Sequence, residues 1–312
     1  MRIVYLGTSP FAAAVLEGLA ASGHSPELVV TRPDRPRGRG RRVSPPPIAA
    51  SALRLGVALA QPESVNSDDA RAAIADARPD VVVVCAFGGL IREPLLSEHE
   101  LLNVHPSLLP RWRGAAPIER AIEAGDDRTG VSIMRPTAEL DAGPVCLMGS
   151  IEIDADDDFG SLSTRLQPLA VELLAEALER RPPCEAQPPE GVTVAEKIDP
   201  SERLLSPELT AVELERRVRA LSPHIGAYVD LGGEERLQVL RATRSTTSAT
   251  PPPGELTDAG GRLVLGCADG GALELLTVKP AGRRPMDAAD FLRGHGLLRT
   301  EAPTDQGQSI EA

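Results

Sequence analysis

Cysteine, lysine and aromatic residues are scarce in this chain of 312 residues. Its four cysteines lie far apart without a Cys-x-x-Cys pair, so their spacing supports neither a zinc knuckle nor a disulfide framework. No apolar run approaches the roughly 20 residues that span a bilayer. The first residues lead directly into a strand pattern without a secretory signal. We therefore expect a protein of the reducing cytoplasm that has no membrane segment.

The glycine fingerprints of nucleotide-binding loops are also missing. The first strand pattern ends in Gly7-Thr8-Ser9-Pro10, which has one glycine where Gly-x-Gly-x-x-Gly would let the backbone approach a pyrophosphate. The Gly-x-x-x-x-Gly-Lys-[Ser/Thr] phosphate loop does not occur either. We therefore expect no nicotinamide or flavin cofactor, and the simpler interpretation of this loop is an ordinary turn between a strand and a helix.

Positive charge is sparse overall but concentrated in one segment. The formal net charge is −12, which argues against a protein that coats nucleic acid with a basic surface. One stretch of eleven residues nevertheless carries six arginines against a single aspartate, a local charge of +5 on an acidic remainder of −17. Such a segment indicates a directed contact with an anion, although a solvated surface loop would have the same composition. Its arginines are Arg32, Arg35, Arg37, Arg39, Arg41 and Arg42.

The first half of the chain alternates strand and helix patterns. Continuous apolar runs rich in β-branched residues predict strands at 2–6, 27–31, 57–61, 80–86 and 102–105. Apolar residues at helical spacing predict helices at 11–22, 48–55 and 68–77. This alternation predicts an α/β domain with a doubly wound, mainly parallel, Rossmann-like sheet.

The pattern changes after a long predicted helix at 162–179, where two proline clusters follow within eight residues. We interpret 1–181 as one domain, 182–203 as a linker and 204–302 as a second domain, with a flexible tail at 303–312. The second domain begins with a predicted helix at 210–220 and continues with short strand patterns separated by turn residues. This spacing favours a small, OB-like antiparallel β-barrel.

The side chains best suited to catalysis lie on the predicted strand at 102–105. Asn103 and His105 are two residues apart and therefore project from the same face of that strand. Ligand crevices in open α/β sheets lie outside the carboxyl ends of the strands, where an amide and an imidazole can both reach a carbonyl oxygen. The alternative is a histidine satisfied by backbone contacts and an asparagine in a turn.

Asp141 is a candidate partner for this pair. It precedes Ala-Gly-Pro on a predicted loop between strands at 130–134 and 145–147. A carboxylate beside His105 would favour the imidazolium form and orient the ring. The alternative is an aspartate that caps its own turn, a common role for this residue type.

Two motifs carry a family resemblance. Asn-Val-His-Pro-Ser-Leu-Leu-Pro at 103–110, with Leu-Asp-Ala-Gly-Pro at 140–144, resembles the folate-dependent formyltransferases. The continuation Arg-Trp-Arg-Gly-Ala-Ala-Pro-Ile at 111–118 is similar to the branch that formylates initiator methionyl-tRNA. The opening turn at 7–12, the arginine segment and the motif Lys-Pro-Ala-Gly-Arg-Arg-Pro-Met at 279–286 agree with that branch. The resemblance covers roughly residues 2–293.

This resemblance implies formyl transfer from 10-formyltetrahydrofolate to the α-amine of methionyl initiator tRNA. The attack would be direct, through a tetrahedral intermediate, and would need no metal. Asn103, His105 and Asp141 match the family's catalytic positions. The implied folate-binding residues are Phe87, Gly88, Ser107, Leu108, Leu109 and Pro110. The implied tRNA-binding residues are Arg35, Arg37, Arg39, Arg41, Arg42, Lys279, Arg283 and Arg284.

Two positions depart from the family pattern. Phe87 stands where a tyrosine is common, so a contact of its hydroxyl would be missing. Ser-Pro-His-Ile at 222–225 replaces the usual Asn-Pro-Trp-Pro, which leaves the packing of the second domain open. Trp112, the single tryptophan, would either anchor its loop by packing or contact the aminoacyl end of the substrate, and we favour packing.

Two other functions remain as alternatives. A formyltransferase for a sugar-nucleotide or ribonucleotide amine would not need the arginine segment. A catalytically inactive tRNA-binding protein would not need all three of Asn103, His105 and Asp141. No heptad or large apolar stripe indicates an obligate dimer, so we expect a monomer.

Overall fold

The computed structural model describes residues 1–37, 42–232, 235–246 and 250–295. The chain divides into two compact units, Met1–Pro200 and Ser201–Ala312. Within the described ranges, no helix has both the length and the apolar character needed to cross a bilayer. The predicted tail at 303–312 lies outside the described residues.

The first unit contains eleven strands and six helices among its described residues. In chain order they are β1 (Ile3–Gly7), α1 (Pro10–Ala21), β2 (Leu28–Val30), β3 (Arg35–Arg37), β4 (Arg42–Ser44), α2 (Pro47–Leu55), β5 (Ala58–Ala60), α3 (Asp68–Asp76), β6 (Val81–Cys85), α4 (Leu95–Glu98), β7 (Leu101–His105), β8 (Arg113–Gly114), α5 (Pro117–Ala124), β9 (Arg128–Met134), β10 (Val145–Glu152), α6 (Phe159–Arg180) and β11 (Val194–Ala195).

Seven of these strands form one sheet in the order β10-β9-β7-β6-β1-β2-β5. The five strands from β7 to β5 are parallel to one another, and β9 and β10 extend the sheet in antiparallel pairs. Strands β1 and β6 are buried along their whole length, as expected for a sheet covered on both faces. The prediction of a mainly parallel, Rossmann-like α/β sheet is confirmed. Because β6 and β7 are neighbours, the loops after their carboxyl ends lie side by side.

The turn after β1 allows the helices beside it to pack closely against the strand. The hydroxyl of Ser9 accepts a hydrogen bond of 3.1 Å from the backbone N–H of Ala12, which caps α1. A Cβ atom on Gly7 would lie only 2.7 Å from Ile48 Cδ1 and 2.9 Å from Ala12 Cβ. The glycine therefore allows both helices to pack tightly against β1.

The arginine segment contains a short hairpin that the sequence did not predict. Strands β3 and β4 pair antiparallel, with Arg35 opposite Ser44 and Arg37 opposite Arg42. Arg39 and Arg41 lie outside the described residues. The base of the segment is fixed to the end of β5, because Gln61 Nε2 donates to Asp34 Oδ1 at 2.7 Å and to the carbonyl of Arg32 at 3.1 Å.

Cys146 in β10 and Cys184 after α6 form a disulfide, which corrects the expectation, drawn from cysteine spacing, that the chain has no disulfide framework. Spacing along the sequence could not reveal it, because the pairing of Val145 with Glu185 brings these distant segments together in the fold. The other two cysteines, Cys85 and Cys267, are free and buried. Residues 182–200, most of the predicted linker, belong to the first unit, where β11 pairs with β8.

The second unit is an antiparallel sheet with two helices. A 3-10 turn at Pro200–Arg203 spans the division between the units. The elements that follow are α7 (Ala211–Leu221), β12 (Ala227–Gly232), β13 (Glu235–Arg244), β14 (Leu256–Asp258), β15 (Leu263–Gly266), β16 (Ala272–Pro280), β17 (Met286–Asp287) and α8 (Ala288–His295). The strand order is β12-β13-β16-β15-β14, with β17 also paired to β16. The β12–β13 and β13–β16 pairs contain register shifts of the kind that β-bulges produce, and the curled antiparallel sheet is consistent with a barrel-like domain.

The family departure at 222–225 is accommodated within this unit. Ser222 is buried at the carboxyl end of α7, and its hydroxyl donates a 2.9 Å hydrogen bond to the carbonyl of Leu240 in β13. A short side chain at the position where the resemblance led us to expect asparagine therefore ties this helix to the sheet.

Candidate active site

Strand β7 delivers Asn103 and His105 to the carboxyl edge of the parallel sheet. The His105 side chain is 5% exposed, whereas Asn103 is half-buried. His105 Nε2 lies 2.7 Å from the carbonyl oxygen of Trp112. Because a carbonyl only accepts, Nε2 carries the hydrogen of this bond. The other ring nitrogen, Nδ1, lies 3.6 Å from Asp141 Oδ2.

Asp141 comes from the turn that connects β9 to β10. Its carboxylate Oδ2 accepts a hydrogen bond of 2.9 Å from the backbone N–H of Gly114. The other oxygen, Oδ1, accepts a longer one of 3.4 Å from Asn103 Nδ2. The Asp141 side chain is 14% exposed. The structure thus brings together the three side chains that the sequence proposed as a catalytic group, and Asp141 joins the other two through separate oxygens.

Three residues around this centre have left-handed backbone conformations. Ala86 has φ +42°, Trp112 has φ +63° and Asp141 has φ +47°. Non-glycine residues adopt this region at a cost of roughly 1–3 kcal/mol and keep it only where the surroundings enforce it. The loops after β6, β7 and β9 are therefore held in defined shapes at the edge where the candidate site lies.

The loop after β7 is fixed by its own hydrogen bonds. The buried Ser107 hydroxyl donates to the carbonyl of Arg111 at 2.6 Å. Ser132 Oγ donates to the carbonyl of Ser107 at 2.7 Å and accepts from the N–H of Leu109 at 3.2 Å. Among the predicted folate-binding residues, Ser107 and Leu109 are therefore buried parts of the loop, and Leu108 and Pro110 are half-buried on it.

Phe87 and Gly88 follow β6 beside a cavity of about 230 Å³. Phe87 is 6% exposed and lines the cavity, and its carbonyl accepts a 2.7 Å hydrogen bond from Thr8 Oγ1. The carbonyl of Gly88 accepts a hydrogen bond from Arg32, which also lines the cavity. The cavity therefore lies between Phe87, one of the predicted folate-binding residues, and Arg32, the first arginine of the basic segment. The remaining lining residues are Pro62, Glu63, Ser64, Val65, Asn66, Gly89, Leu90 and Arg92.

The predicted tRNA-binding residues differ in their surroundings. Arg35 forms an ion pair with Glu63 at 2.5 Å. In the second unit, Lys279, Arg283 and Arg284 are all exposed at the end of β16 and the turn that follows it. These three cations therefore form a small basic patch on that unit.

Trp112 is held by packing and by a hydrogen bond. The Arg111 guanidinium lies 4.3 Å from the centroid of its ring, and Trp112 Nε1 donates to Asp126 Oδ2 at 2.8 Å. Arg111 also binds Asp126 through two nitrogens, at 2.8 and 2.6 Å, and this hydrogen-bonded carboxylate raises the pKa of Arg111. These contacts favour the interpretation of Trp112 as an anchor of its loop.

The backbone groups and the amide that surround the three side chains were not predicted from the sequence. Apart from the motif that contains Trp112 and Gly114, nothing in the sequence indicates that the carbonyl of Trp112 contacts His105 or that the N–H of Gly114 contacts Asp141. Gln187 donates to the carbonyls of Asp141 and Gly143, yet in the sequence it stands out only through the prolines beside it. Within the described ranges, no group of three or more histidine, cysteine or acidic residues has a metal-binding arrangement.

Comparison with known proteins gives a consistent match over both units. Residues 1–178 match the formyl transferase family, and residues 197–296 match the formyl transferase C-terminal domain. The methionyl-tRNA formyltransferase of Ruegeria pomeroyi is 42% identical over 298 residues, which cover 94% of this chain and 97% of that protein.

Two solved structures resemble the fold. Methionyl-tRNA formyltransferase from Clostridium thermocellum matches 80% of this chain and 95% of its own, with a TM-score of 0.58 and 16% identity. HypX from Aquifex aeolicus, solved in complex with tetrahydrofolic acid, matches 94% of this chain with a TM-score of 0.63 and 18% identity. This chain covers 47% of that longer protein.

Proposed function

The chain belongs to the methionyl-tRNA formyltransferase family, and on this premise we propose that Asn103, His105 and Asp141 form its catalytic centre. The enzyme transfers a formyl group from a tetrahydrofolate donor to the methionyl group carried by initiator tRNA. The observation that carries our assignment is the convergence of the three side chains at the carboxyl edge of the sheet, with Asp141 between Asn103 and the N–H of Gly114.

For the donor, we propose 10-formyltetrahydrofolate bound beside the loops that follow β6 and β7. The tetrahydrofolate complex of HypX supports a folate in this fold. Phe87 and the half-buried Leu108 offer apolar surface to a pterin ring, and the rigid backbone of the loop after β7 would fix its position. Ser107 supports the loop from inside, because its hydroxyl already bonds the carbonyl of Arg111.

The chemistry is a direct acyl transfer between two nitrogens. The neutral α-amine of the methionyl group attacks the formyl carbon, and the π electron pair of the carbonyl moves to its oxygen. A tetrahedral intermediate with a negative oxygen results. When the carbonyl forms again, the bond from carbon to N10 of the folate breaks, N10 takes a proton and the attacking nitrogen loses one. The products are formyl-methionyl-tRNA and tetrahydrofolate.

We assign Asn103 as the principal donor to the negative oxygen. Its Nδ2 carries two hydrogens and contacts Asp141 Oδ1 at 3.4 Å and the sulfur of Met134 at 3.7 Å. Because a thioether is a weak acceptor, the hydrogen on the Met134 side can be donated to the substrate instead. Preorganised donors aimed at developing charge usually contribute more to acyl-transfer catalysis than any other single effect. The carboxylate of Asp141 also fixes the plane of this amide before the reaction begins.

We assign Asp141 to the relay of the proton that leaves the amine, through a water molecule, and His105 to the stabilisation of charge as imidazolium. With Nδ1 toward Asp141 and Nε2–H on the carbonyl of Trp112, the ring is oriented at both ends. For His105 to donate to the negative oxygen as well, Nε2–H must exchange the carbonyl of Trp112 for the substrate when it binds.

For the tRNA, we propose contacts from the arginine hairpin of the first unit and the basic patch of the second. An enzyme with a net charge of −12 needs local cations to hold a polyanion. Contacts of this kind recognise phosphates and the shape of a helix rather than base sequence. Because Arg35 is already paired with Glu63, we assign most of the hairpin's contribution to Arg37, Arg39, Arg41 and Arg42.

A formyl-transfer assay with three acceptors tests this function. Methionyl initiator tRNA, uncharged initiator tRNA and a free amino-sugar nucleotide would each be offered with 10-formyltetrahydrofolate. We expect product only with the charged tRNA. Formylation of the amino sugar at a similar rate would support a small-molecule enzyme instead. Binding of tRNA without any formyl transfer would support an inactive tRNA-binding protein.

A further inference from the structure

The turn that carries Asp141, here called the Asp141 turn (residues 139–143), needs support from outside itself. Asp141 has a left-handed backbone, and a Cβ atom on Gly143 would lie 1.9 Å from the carbonyl oxygen of Arg135. The carboxylate is held by the N–H of Gly114, which belongs to a different loop. The position of the carboxylate therefore depends on how this turn and the Gly114 loop are joined.

Gln187 joins them with one side chain. Its Nε2 donates to the carbonyl of Asp141 at 2.7 Å and to the carbonyl of Gly143 at 2.8 Å. Its Oε1 accepts a hydrogen bond of 3.0 Å from Arg113 Nε, one residue before Gly114. A primary amide suits this place because two acceptors require two N–H donors while a third partner requires an acceptor.

Gln187 belongs to residues 184–195, which we call the return segment. This segment is attached to the rest of the first unit both before and after Gln187. Before Gln187, the disulfide of Cys184 and two backbone hydrogen bonds between Glu185 and Val145, at 2.8 and 2.9 Å, attach the segment to β10. After it, the carbonyl of Thr193 accepts from the N–H of Arg113 at 2.9 Å. The residues flanking Gln187 are exposed, whereas Gln187 is half-buried and turned toward the Asp141 turn.

The same segment also reaches the histidine. Thr193 Oγ1 accepts a 2.8 Å hydrogen bond from the N–H of Trp112, whose carbonyl accepts from His105 Nε2. The return segment therefore supports both residues that face the imidazole, Asp141 on the Nδ1 side and Trp112 on the Nε2 side. Within it, Gln187 is the residue whose side chain contacts the Asp141 turn directly.

We propose that Gln187 is a positioning residue for formyl transfer, which sets the Asp141 carboxylate against Asn103 and His105. The inference rests on the proposed role of Asp141. Gln187 touches no reacting atom and acts through the turn. A displacement of about 1 Å at a catalytic group can cost about 10²-fold in rate, so loss of this bridge should reduce kcat while substrate binding persists.

The test compares Gln187→Met and Gln187→Glu with Gln167→Met and Gln167→Glu, matched changes at a half-buried glutamine on α6. We expect kcat to fall about 10- to 100-fold in both Gln187 variants, with each KM within about threefold of wild type. The Gln167 variants should keep wild-type kcat. An unchanged kcat in Gln187→Met, or a change confined to KM, would overturn the proposal.

The pH dependence separates positioning from a general structural role. A carboxylate in place of the Gln187 amide would keep Arg113 as a partner but would face two carbonyls with no hydrogen to donate, whereas its protonated form can donate to one of them. The activity of Gln187→Glu relative to wild type should therefore rise as the pH falls toward 5, while that of Gln187→Met stays constant. The same dependence of relative activity on pH in Gln187→Glu and Gln187→Met would contradict the positioning role. If either variant fails to fold, Gln187→Asn keeps the amide on a shorter chain and should show the same loss confined to kcat.

Combination with Asp141→Asn separates this proposal from the proposed function. If Gln187 acts through Asp141, adding Gln187→Met to Asp141→Asn should cost less than about threefold further, because coupled residues are not additive. If Gln187→Met lowers kcat as much in the Asp141→Asn background as in the wild-type enzyme, the positioning role of Gln187 is overturned and the proposed role of Asp141 is unaffected. Full activity of Asp141→Asn by itself would instead refute the catalytic role of Asp141.

Discussion

His105 donates a 2.7 Å hydrogen bond from Nε2 to the backbone carbonyl of Trp112. Since a carbonyl cannot donate in return, this bond fixes a hydrogen on Nε2 and turns Nδ1 toward Asp141. The orientation of the His105 ring is therefore set by a main-chain atom of the loop that Arg111, Trp112 and Asp126 hold in place.

This arrangement predicts the tautomer of the free enzyme. In NMR spectra of protein labelled with ¹⁵N at histidine, His105 Nε2 should carry a slowly exchanging proton at every pH where the protein is folded. A neutral ring protonated on Nδ1, with a bare Nε2, would contradict the hydrogen bond to Trp112.

The arginine hairpin should govern affinity for tRNA and leave the folate alone. Replacing Arg37, Arg39, Arg41 and Arg42 by alanine should raise the KM for methionyl-tRNA about tenfold or more, because contacts with phosphates are lost. The slope of log K against log salt should also become shallower by about one for each phosphate that is no longer bound. The KM for the folate should stay within about twofold. A control variant, Arg54→Ala with Arg180→Ala, removes exposed cations from α2 and α6 and should change neither constant. An unchanged KM for tRNA in the fourfold variant would show that the hairpin takes no part in tRNA binding.

Asp126 should stabilise the loop that presents Trp112. Asp126→Ala leaves Trp112 Nε1 and the Arg111 guanidinium without their shared carboxylate, so the free energy of unfolding should fall by about 2 kcal/mol. Denaturant unfolding followed by the single tryptophan measures this, and the native emission should shift to longer wavelength. Asp127→Ala, a change at the exposed neighbouring aspartate, serves as the control. Equal stability of the two variants would show that the loop does not depend on Asp126.

The cysteines should fall into two classes. Denatured protein kept without reductant should show two reactive thiols, and reduced protein four, because Cys146 and Cys184 are paired. In the folded protein, burial raises the pKa of Cys85 to about 12 and that of Cys267 to about 11. Raised values keep both thiols protonated at pH 8, so neither should react with iodoacetamide, since the thiolate is the nucleophile. Four thiols without reductant would contradict the disulfide, and rapid alkylation of Cys85 would contradict its burial.

The sheet and two of the three catalytic candidates could be predicted from the sequence because they depend on local periodicity. Continuous β-branched runs marked β1 and β6, and the spacing of two placed Asn103 and His105 on one face of β7. Asp141 was found as a candidate from its turn residues, although its partner N–H at Gly114 was not.

What could not be predicted depends on contacts between distant segments. The hairpin of β3 and β4 pairs arginine, proline and serine, which lack the apolar alternation typical of strands. The pairing of Cys146 with Cys184 and the bridge made by Gln187 arise only when the chain after α6 returns to β10 and β8. Prolines on both sides of Gln187 favoured a linker there, and nothing in the sequence alone indicates the carbonyl groups that its amide meets.

In the proposed mechanism, catalysis depends most directly on the Asn103 amide as a donor to the negative oxygen of the intermediate. The decisive measurement is kcat for formyl transfer to methionyl initiator tRNA by purified Asn103→Ala, with folding and tRNA binding checked in parallel. Removal of one such donor should lower kcat about 10²- to 10³-fold. Turnover near the wild-type rate in a folded variant that binds tRNA normally would contradict the proposed catalytic centre.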